Sequence, residues 1–169
     1  MYVYSRFFFH SILINNAGIG IWKNNLGSPT LIEDVLAQIN TNAIGPLRVT
    51  SALLPMLRKA ATEGKTQVKI ANISSRMGSI GDNTSGDAYG YRASKAAENM
   101  ISVTLARDLA KENILSLALH PGHIRTRMGG SGGDMEADEC AKRLVSLIDN
   151  ATPEDCYRFI HRDGQTLPW

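Results

Sequence analysis

Tyr91 and Lys95 stand four positions apart in the stretch "YGYRASKAA" (89–97). On a helix that spacing places a phenol and an ammonium group on one face, within reach of a common ligand. A free tyrosine has a pKa near ~10 and is neutral at pH 7, but a neighbouring cation favours the phenolate. Bringing it close to neutrality takes roughly 3–4 kcal/mol of differential stabilisation. A phenol so placed is a proton donor and acceptor. Tyr89 lies six residues before Lys95 and ahead of the expected helix, so it cannot share that face. Taken alone, the Y-x-x-x-K spacing also describes a surface tyrosine that happens to precede a lysine.

Further polar groups fall at the ends of apolar runs. "NISSRMG" closes one such run, and a serine there can donate to a carbonyl oxygen as negative charge grows on it. Ser74 and Ser75 both qualify. "NNAG" (15–18) closes an earlier run with small residues that admit a flat ligand, and "HPGHIRT" (120–126) closes a later one. In a parallel sheet such strand ends share one rim.

The elements that must hold these groups alternate. Strands are expected at "SILIN" (11–15), "VKIANIS" (68–74), "LSLALHPG" (115–122) and, more weakly, "CYRFIH" (156–161). A helical stripe runs from Leu31 to Ala60 through Leu36, Ile39, Ala43, Leu47, Thr50, Leu54 and Leu57. Further helices are expected from about Tyr91 to Glu112 and from about Glu136 to Asn150, with loops at 78–88 and 128–134. This is an α/β pattern with a parallel sheet. Ala93, Ala97, Ile101, Leu105 and Leu109 give the 91–112 helix an apolar face, widened by Ala96, Met100 and Val103. Either it is a well-buried core helix, or one side covers the sheet while another meets a second subunit.

The 169 residues suffice for one domain, and 43% apolar with 20% charged residues is ordinary for a globular protein. A net charge of +2 and the lack of a basic run interleaved with aromatics argue against a nucleic-acid partner. No run is long enough for a membrane span. Cys140 and Cys156 lack metal-ligand spacing and read as reduced thiols of a cytoplasmic protein. The aromatic leader at about 1–10 does not have the form of a targeting segment, because Arg6 and His10 interrupt it. The glycosylation-type triplets at 72–74 and 83–85 are read as coincidences.

"NNAG", "NTNAIGP", "NISS", "YRASK" and "HPGHIRT", in this order and near this spacing, resemble the short-chain dehydrogenase/reductase family. "TRMGG" and the tail "FIHRDGQTLPW" look most like its carbonyl-reductase branch, the sniffer or C-factor type. The resemblance runs from about Ile12 to the end. It implies a Rossmann-like doubly wound sheet with helices on both faces, and reduction of a small-molecule carbonyl by hydride from NADP or NAD, NADP being favoured by the branch. Tyr91 resembles the family's acid/base. Lys95 resembles the residue that binds the nicotinamide ribose and lowers the tyrosine pKa. Ser75 matches the substrate-orienting hydroxyl, and Asn42 the asparagine that holds a relay water. Asn16, Ile124 and Thr126, with Tyr91 and Lys95, correspond to cofactor contacts. The residues add support at Asn42: Pro46, four positions on, has no N–H to offer the Asn42 carbonyl.

The segment from Ser75 to Tyr91 is longer than the commonest family spacing. More seriously, the family's glycine-rich TGxxxGxG turn, whose helix N-terminus holds the pyrophosphate, does not occur here. The expectation is therefore a single domain, 1–169, corresponding to the C-terminal part of the fold, in which "SILIN" becomes an exposed apolar edge that the leader partly covers. Two readings remain open: a carbonyl reductase, or a non-catalytic interaction or oligomerisation partner that keeps the catalytic residues.

Overall fold

A computed structural model describes residues 12–22, 26–63 and 67–169. Strand β1 (Ile12–Asn15) leads through a loop to helix α1 (Leu31–Ile39), a π-turn (Asn40–Ile44) and helix α2 (Gly45–Glu63). Strand β2 (Val68–Ile73), helix α3 (Tyr89–Leu109) and strand β3 (Ile114–His120) follow. Two short strands, β4 (Ile124–Arg125) and β5 (Met135–Glu136), precede helix α4 (Ala137–Asn150) and the closing strands β6 (Phe159–His161) and β7 (Thr166–Leu167).

The main sheet has the order β1-β2-β3-β6-β7, parallel except for β7. β2 and β3 are buried on both faces, which is why they read as nearly continuous apolar runs. Val68, Ile70 and Ile114 meet Leu57 and Ala60 of α2 and Leu109 of α3 on one face. Ala71, Leu117, Leu119 and Ile160 meet Ile148 of α4, flanked by Leu144 and Leu147, on the other. Helices therefore cover both faces, as the α/β reading requires.

Among the described residues β1 pairs with β2 alone, and its outer side chains Ile12 and Ile14 are exposed. The expected apolar edge is present; the leader proposed to cover it lies outside the described residues. The inward Asn15 donates to Asn72 Oδ1 (2.8 Å) and Thr50 Oγ1 (3.2 Å), and Asn72 donates to Ser116 Oγ (3.3 Å). A chain of buried polar side chains thus ties three strands to α2. Asn72, in one of the glycosylation-type triplets, is buried.

Two expectations about helix faces are corrected. The stripe drawn through 31–60 places Leu36 and Leu47 inside, yet both are exposed. The π-turn, closed by a hydrogen bond from the Gly45 amide to the Asn40 carbonyl, adds a residue and rotates the phase between α1 and α2. On α3 the buried positions are Gly90, Tyr91, Ser94, Lys95, Glu98, Asn99, Ser102, Ala106 and Leu109. Most carry polar groups, so a reading based on apolar spacing set the helix about a quarter-turn off. Tyr89 also falls inside the helix, though its side chain is exposed.

Candidate active site

Three segment ends build the site. Beyond β2, the Ser74 amide donates to the Leu119 carbonyl (2.7 Å) and keeps the chain in register past the last pair. Ser75 then caps a 3-10 turn (Arg76–Gly78), its Oγ accepting from the Met77 amide at 3.2 Å. Gly78 lets this turn lie directly on α3: a Cβ there would come within 2.6 Å of the Lys95 carbonyl carbon. α3 begins from Ala88 and Asp87, both in the left-handed region (φ 50° and 60°) that L-residues seldom adopt. This sharp start aims Tyr91 back at Ser75, and strain of that kind gathers at functional sites.

The third segment follows β3. Arg162, buried beside β6, donates to the Pro121 carbonyl (2.9 Å) and to both carboxylate oxygens of Asp134 (3.1 and 2.8 Å). Gly122 crosses the guanidinium with φ 82°, where a Cβ would come within 2.2 Å of Nη1. The loop so anchored presents Ile124 and Thr126, whose Oγ1 accepts from the Gly129 amide at 3.0 Å. His123 Nε2 lies 2.7 Å from the Gly129 carbonyl oxygen.

These segments enclose a cavity of about 480 Å³ whose lining includes Tyr91, Ser75, Ile124, Thr126, His120 and Trp22. The structure thereby brings four of the sequence-selected residues to one space. Lys95 sits behind Tyr91, with Nζ 6.0 Å from the ring centroid. Asn42 is fully buried: Oδ1 accepts from the Ile19 amide, and Nδ2 donates to the Ile19 carbonyl (both 2.8 Å) and to Ser94 Oγ (2.9 Å). Asn16 does not join them. It borders a separate cavity of about 450 Å³ on the open side of β1, with Ile14, Thr41 and Arg48.

The electrostatics depart from the sequence expectation. Lys95 is buried, and Nζ donates to Glu98 Oε2 at 2.7 Å and to the Ile73 carbonyl at 2.9 Å. Burial pushes the Tyr91 phenol above its ordinary value; a hydrogen bond with Ser75 works the other way, and the Glu98 charge raises it further. The net direction is thus opposite to the lowering expected from Lys95, and burial is its largest cause. Glu98 is pushed up to about 7, chiefly by burial and against the pull of Lys95. Its folded value exceeds its free value of 4.5, so its contribution to stability is fully present below about pH 4.5 and is lost as the pH rises through about 7. His120 goes down to about 4, first through burial and then through the charges of His161, Arg76 and Arg162, so it is neutral at pH 7.

Sequence reasoning missed Glu98, Trp22 and Arg162, whereas Gly18 belongs to the "NNAG" stretch already singled out for its small residues. Glu98 had a legible signal, standing three residues after Lys95, where a helix brings a carboxylate alongside an ammonium. The Trp22 ring lies 4.7 Å from that of Tyr91, with Gly20 making room for it. Gly18 faces both functional side chains: a Cβ there would lie 3.3 Å from Asn42 Oδ1 and 3.8 Å from Lys95 Nζ.

A family model described as short chain dehydrogenase matches residues 10–137. The chain belongs to the short-chain dehydrogenase family. It is 42% identical over 159 residues to C-signal of Myxococcus xanthus, spanning 94% of this chain and 92% of that protein. It is 40% identical over 158 residues to 1-hydroxy-2-glutathionyl-2-methyl-3-butene dehydrogenase of Rhodococcus sp. (strain AD45), spanning 90% of this chain and 66% of the relative. Among solved structures it resembles carbonyl reductase Sniffer of D. melanogaster, with TM-score 0.89 and 33% identity over 94% of this chain. It also resembles an NADPH-bound carbonyl reductase from chicken fatty liver, with TM-score 0.84 and 38% identity over 93% of this chain. The chain spans 66% and 65% of those two structures. Its likeness to sniffer-type and C-signal members within the family agrees with the motifs. No helix among the described residues is long and apolar enough to cross a membrane.

Replacing Asn42 with alanine leaves the Ile19 N–H and C=O without their partner. A loss of about 1–3 kcal/mol is expected in urea denaturation, with faster hydrogen exchange at the Ile19 amide. Unchanged exchange at Ile19 contradicts the assigned role of the Asn42 amide in holding this loop.

Proposed function

We propose that this chain carries the catalytic part of a carbonyl reductase that uses NADP(H), with Tyr91 as the proton donor. The observation that supports it most is that Tyr91 and Ser75 line one cavity, with the buried Lys95 cation behind the phenol. A reduced nicotinamide supplies hydride to the carbonyl carbon. Ser75 and Tyr91 take the carbonyl oxygen between their hydroxyls, and Tyr91 passes its proton to that oxygen as charge develops. The phenol, held above its ordinary pKa, is fully protonated at pH 7, which suits it to donation.

The residues present fit the nicotinamide end of such a cofactor. Gly18 has no Cβ, leaving an approach to Lys95 Nζ beside Asn42, and two of the three Lys95 donors are engaged, leaving one for a ribose hydroxyl. Ile124 and Thr126, on the same cavity wall, would help hold the nicotinamide. Asn42 serves the relay through its main chain: Pro46 has no N–H for the carbonyl four residues earlier, and that carbonyl suits a water that returns a proton toward Lys95. Asn16 would act from the open side of β1. The aromatic, methionine-bearing wall formed by Trp22, Met77 and Met128 suits a largely apolar carbonyl compound. Both cysteines are free and buried, in keeping with a cytoplasmic setting.

Tyr91→Phe is expected to lower kcat by about 10²–10⁴ while leaving NADPH affinity, followed by fluorescence titration, unchanged. A Tyr91→Phe protein that binds NADPH and keeps its rate overturns the assignment. Absence of NADPH binding at high micromolar concentration favours the second reading, a non-catalytic interaction partner.

That second reading draws on the likeness to C-signal across nearly all of that protein's length, and on a surface of α3. Ile80, Met100 and Trp169 are exposed around a groove of about 310 Å³, and the buried Asn99 on its wall has no hydrogen-bond partner for either amide atom among the described residues. A second copy docked α3 to α3 covers the apolar side chains. Sedimentation is then expected to give a dimer, converted to monomer by Met100→Glu. A monomer at every concentration refutes the dimer.

A further inference from the structure

The Lys95–Glu98 pair has a consequence beyond the proposed reaction, although its functional meaning rests on that reading. The ammonium and carboxylate lie 2.7 Å apart with side-chain exposures of 5% and 2%. Taking both charges out of water is costly, and such a pair persists only where close contact and added hydrogen bonds offset desolvation. The Ile73 carbonyl supplies one such bond to Lys95. Among the described residues Glu98 receives no comparable set: its backbone carbonyl accepts from Ser102 Oγ (2.8 Å), but the hydrogen bond to its carboxylate comes from Lys95. It is therefore the less securely ionised partner, in keeping with its value of about 7.

Neighbouring elements bring little other charge to this spot. Gln38 of α1 and Asn42 of the π-turn are neutral amides, and β2 offers the Ile73 carbonyl and the Ser74 hydroxyl. Arg76 of the 3-10 turn is paired with Asp82 at 2.6 Å. β3 contributes Ser116 and His120, the latter neutral at pH 7. Asp155 in the 3-10 turn at Pro153–Tyr157 is paired with Arg158 at 2.7 Å. Among the described residues, Lys95 and Tyr91, on α3 itself, are the charged or titratable groups that face Glu98 in this interior.

We propose that Glu98 is a positioning residue whose proton decides whether the Lys95 ammonium is held in an internal ion pair or acts on Tyr91 and on a ligand in the cleft. With Glu98 ionised, the cation is largely compensated one turn beyond the phenol. With Glu98 protonated, the same cation is uncompensated, faces Tyr91 across 6.0 Å and still points a free donor toward Gly18. The proton enters and leaves on Glu98 alone, so no other bond need change.

The test is an NMR titration of the chain without cofactor or substrate, using lysine labelled at Cε and tyrosine labelled at Cζ with ¹³C. Lys95 and Tyr91 are assigned by loss of their signals in Lys95→Met and Tyr91→Phe. In the wild type the Lys95 signal is expected to show an inflection near pH 7, which Glu98→Gln abolishes. In Glu98→Gln the Tyr91 phenol is expected to ionise more readily, by about tenfold or more in its acid constant. A structural role for Glu98 does not produce a lysine inflection that tracks a carboxyl. A Lys95 signal flat from pH 5 to 9 in the wild type overturns the proposal, as does identical Tyr91 titration in wild type and Glu98→Gln. If Glu98→Gln fails to fold, Glu98→Leu replaces it, and the wild-type titration decides the matter by itself. Because no cofactor is present, loss of the reductase reading leaves this result intact, and the reverse also holds.

Discussion

The buried contact between the Lys95 ammonium and the Glu98 carboxylate is the interaction on which the rest of the site depends. Lys95 fastens α3 to the last carbonyl of β2, and the backbone around Lys95 is the surface on which the Gly78 turn rests. Ser75, Tyr91 and the cleft between them are thereby set relative to the sheet. Removing one partner of such a pair leaves an uncompensated charge in the interior, whereas an apolar pair of similar volume is often tolerated. The arrangement is thus not explained by stability. It accords instead with the proposed function, in which a cation lies beneath a phenol with one donor left open.

Around this contact the interior facing α2 and α3 is unusually polar. Asn15, Asn72, Ser116 and Thr50 form one hydrogen-bonded chain, and Asn42, Ser94 and the Ile19 backbone form another. Each donor has an acceptor nearby, so burial costs little beyond side-chain ordering. The opposite face of the sheet, under α4, is assembled from aliphatic residues. Aliphatic clusters on both faces supply cohesion, and the face under α2 and α3 also carries the buried polar groups, which gather toward the carboxyl ends of β2 and β3, where open α/β sheets bind ligands.

The strands and helices were legible because their apolar runs are strong: β2, β3 and α4 lie within a residue or two of expectation. β4, β5 and β7 are two-residue strands fixed by tertiary contacts, and such elements leave no periodic trace. The orientation of α3 was misjudged for a physical reason. Hydrophobic periodicity locates a buried face only when that face is apolar, and here Ser94, Lys95, Glu98 and Ser102 are inside because they satisfy one another. Tyr91 and Lys95 were legible as candidates from residue type and spacing, whereas only the family resemblance separated Ser75 from Ser74. Trp22 and Arg162 were not: the Trp22 ring meets Tyr91 across a tertiary contact, and Arg162 anchors the loop at Gly122, forty residues earlier in the chain.

Whether Lys95 and Glu98 compensate each other in the interior is read from a double-mutant cycle followed by urea denaturation at pH 7.5, with Lys95→Met and Glu98→Leu made singly and together. Lys95→Met alone is expected to cost about 3–5 kcal/mol, and adding Glu98→Leu to recover most of this loss. Additive effects, with the double variant as destabilised as the sum of the two singles, would contradict this compensation.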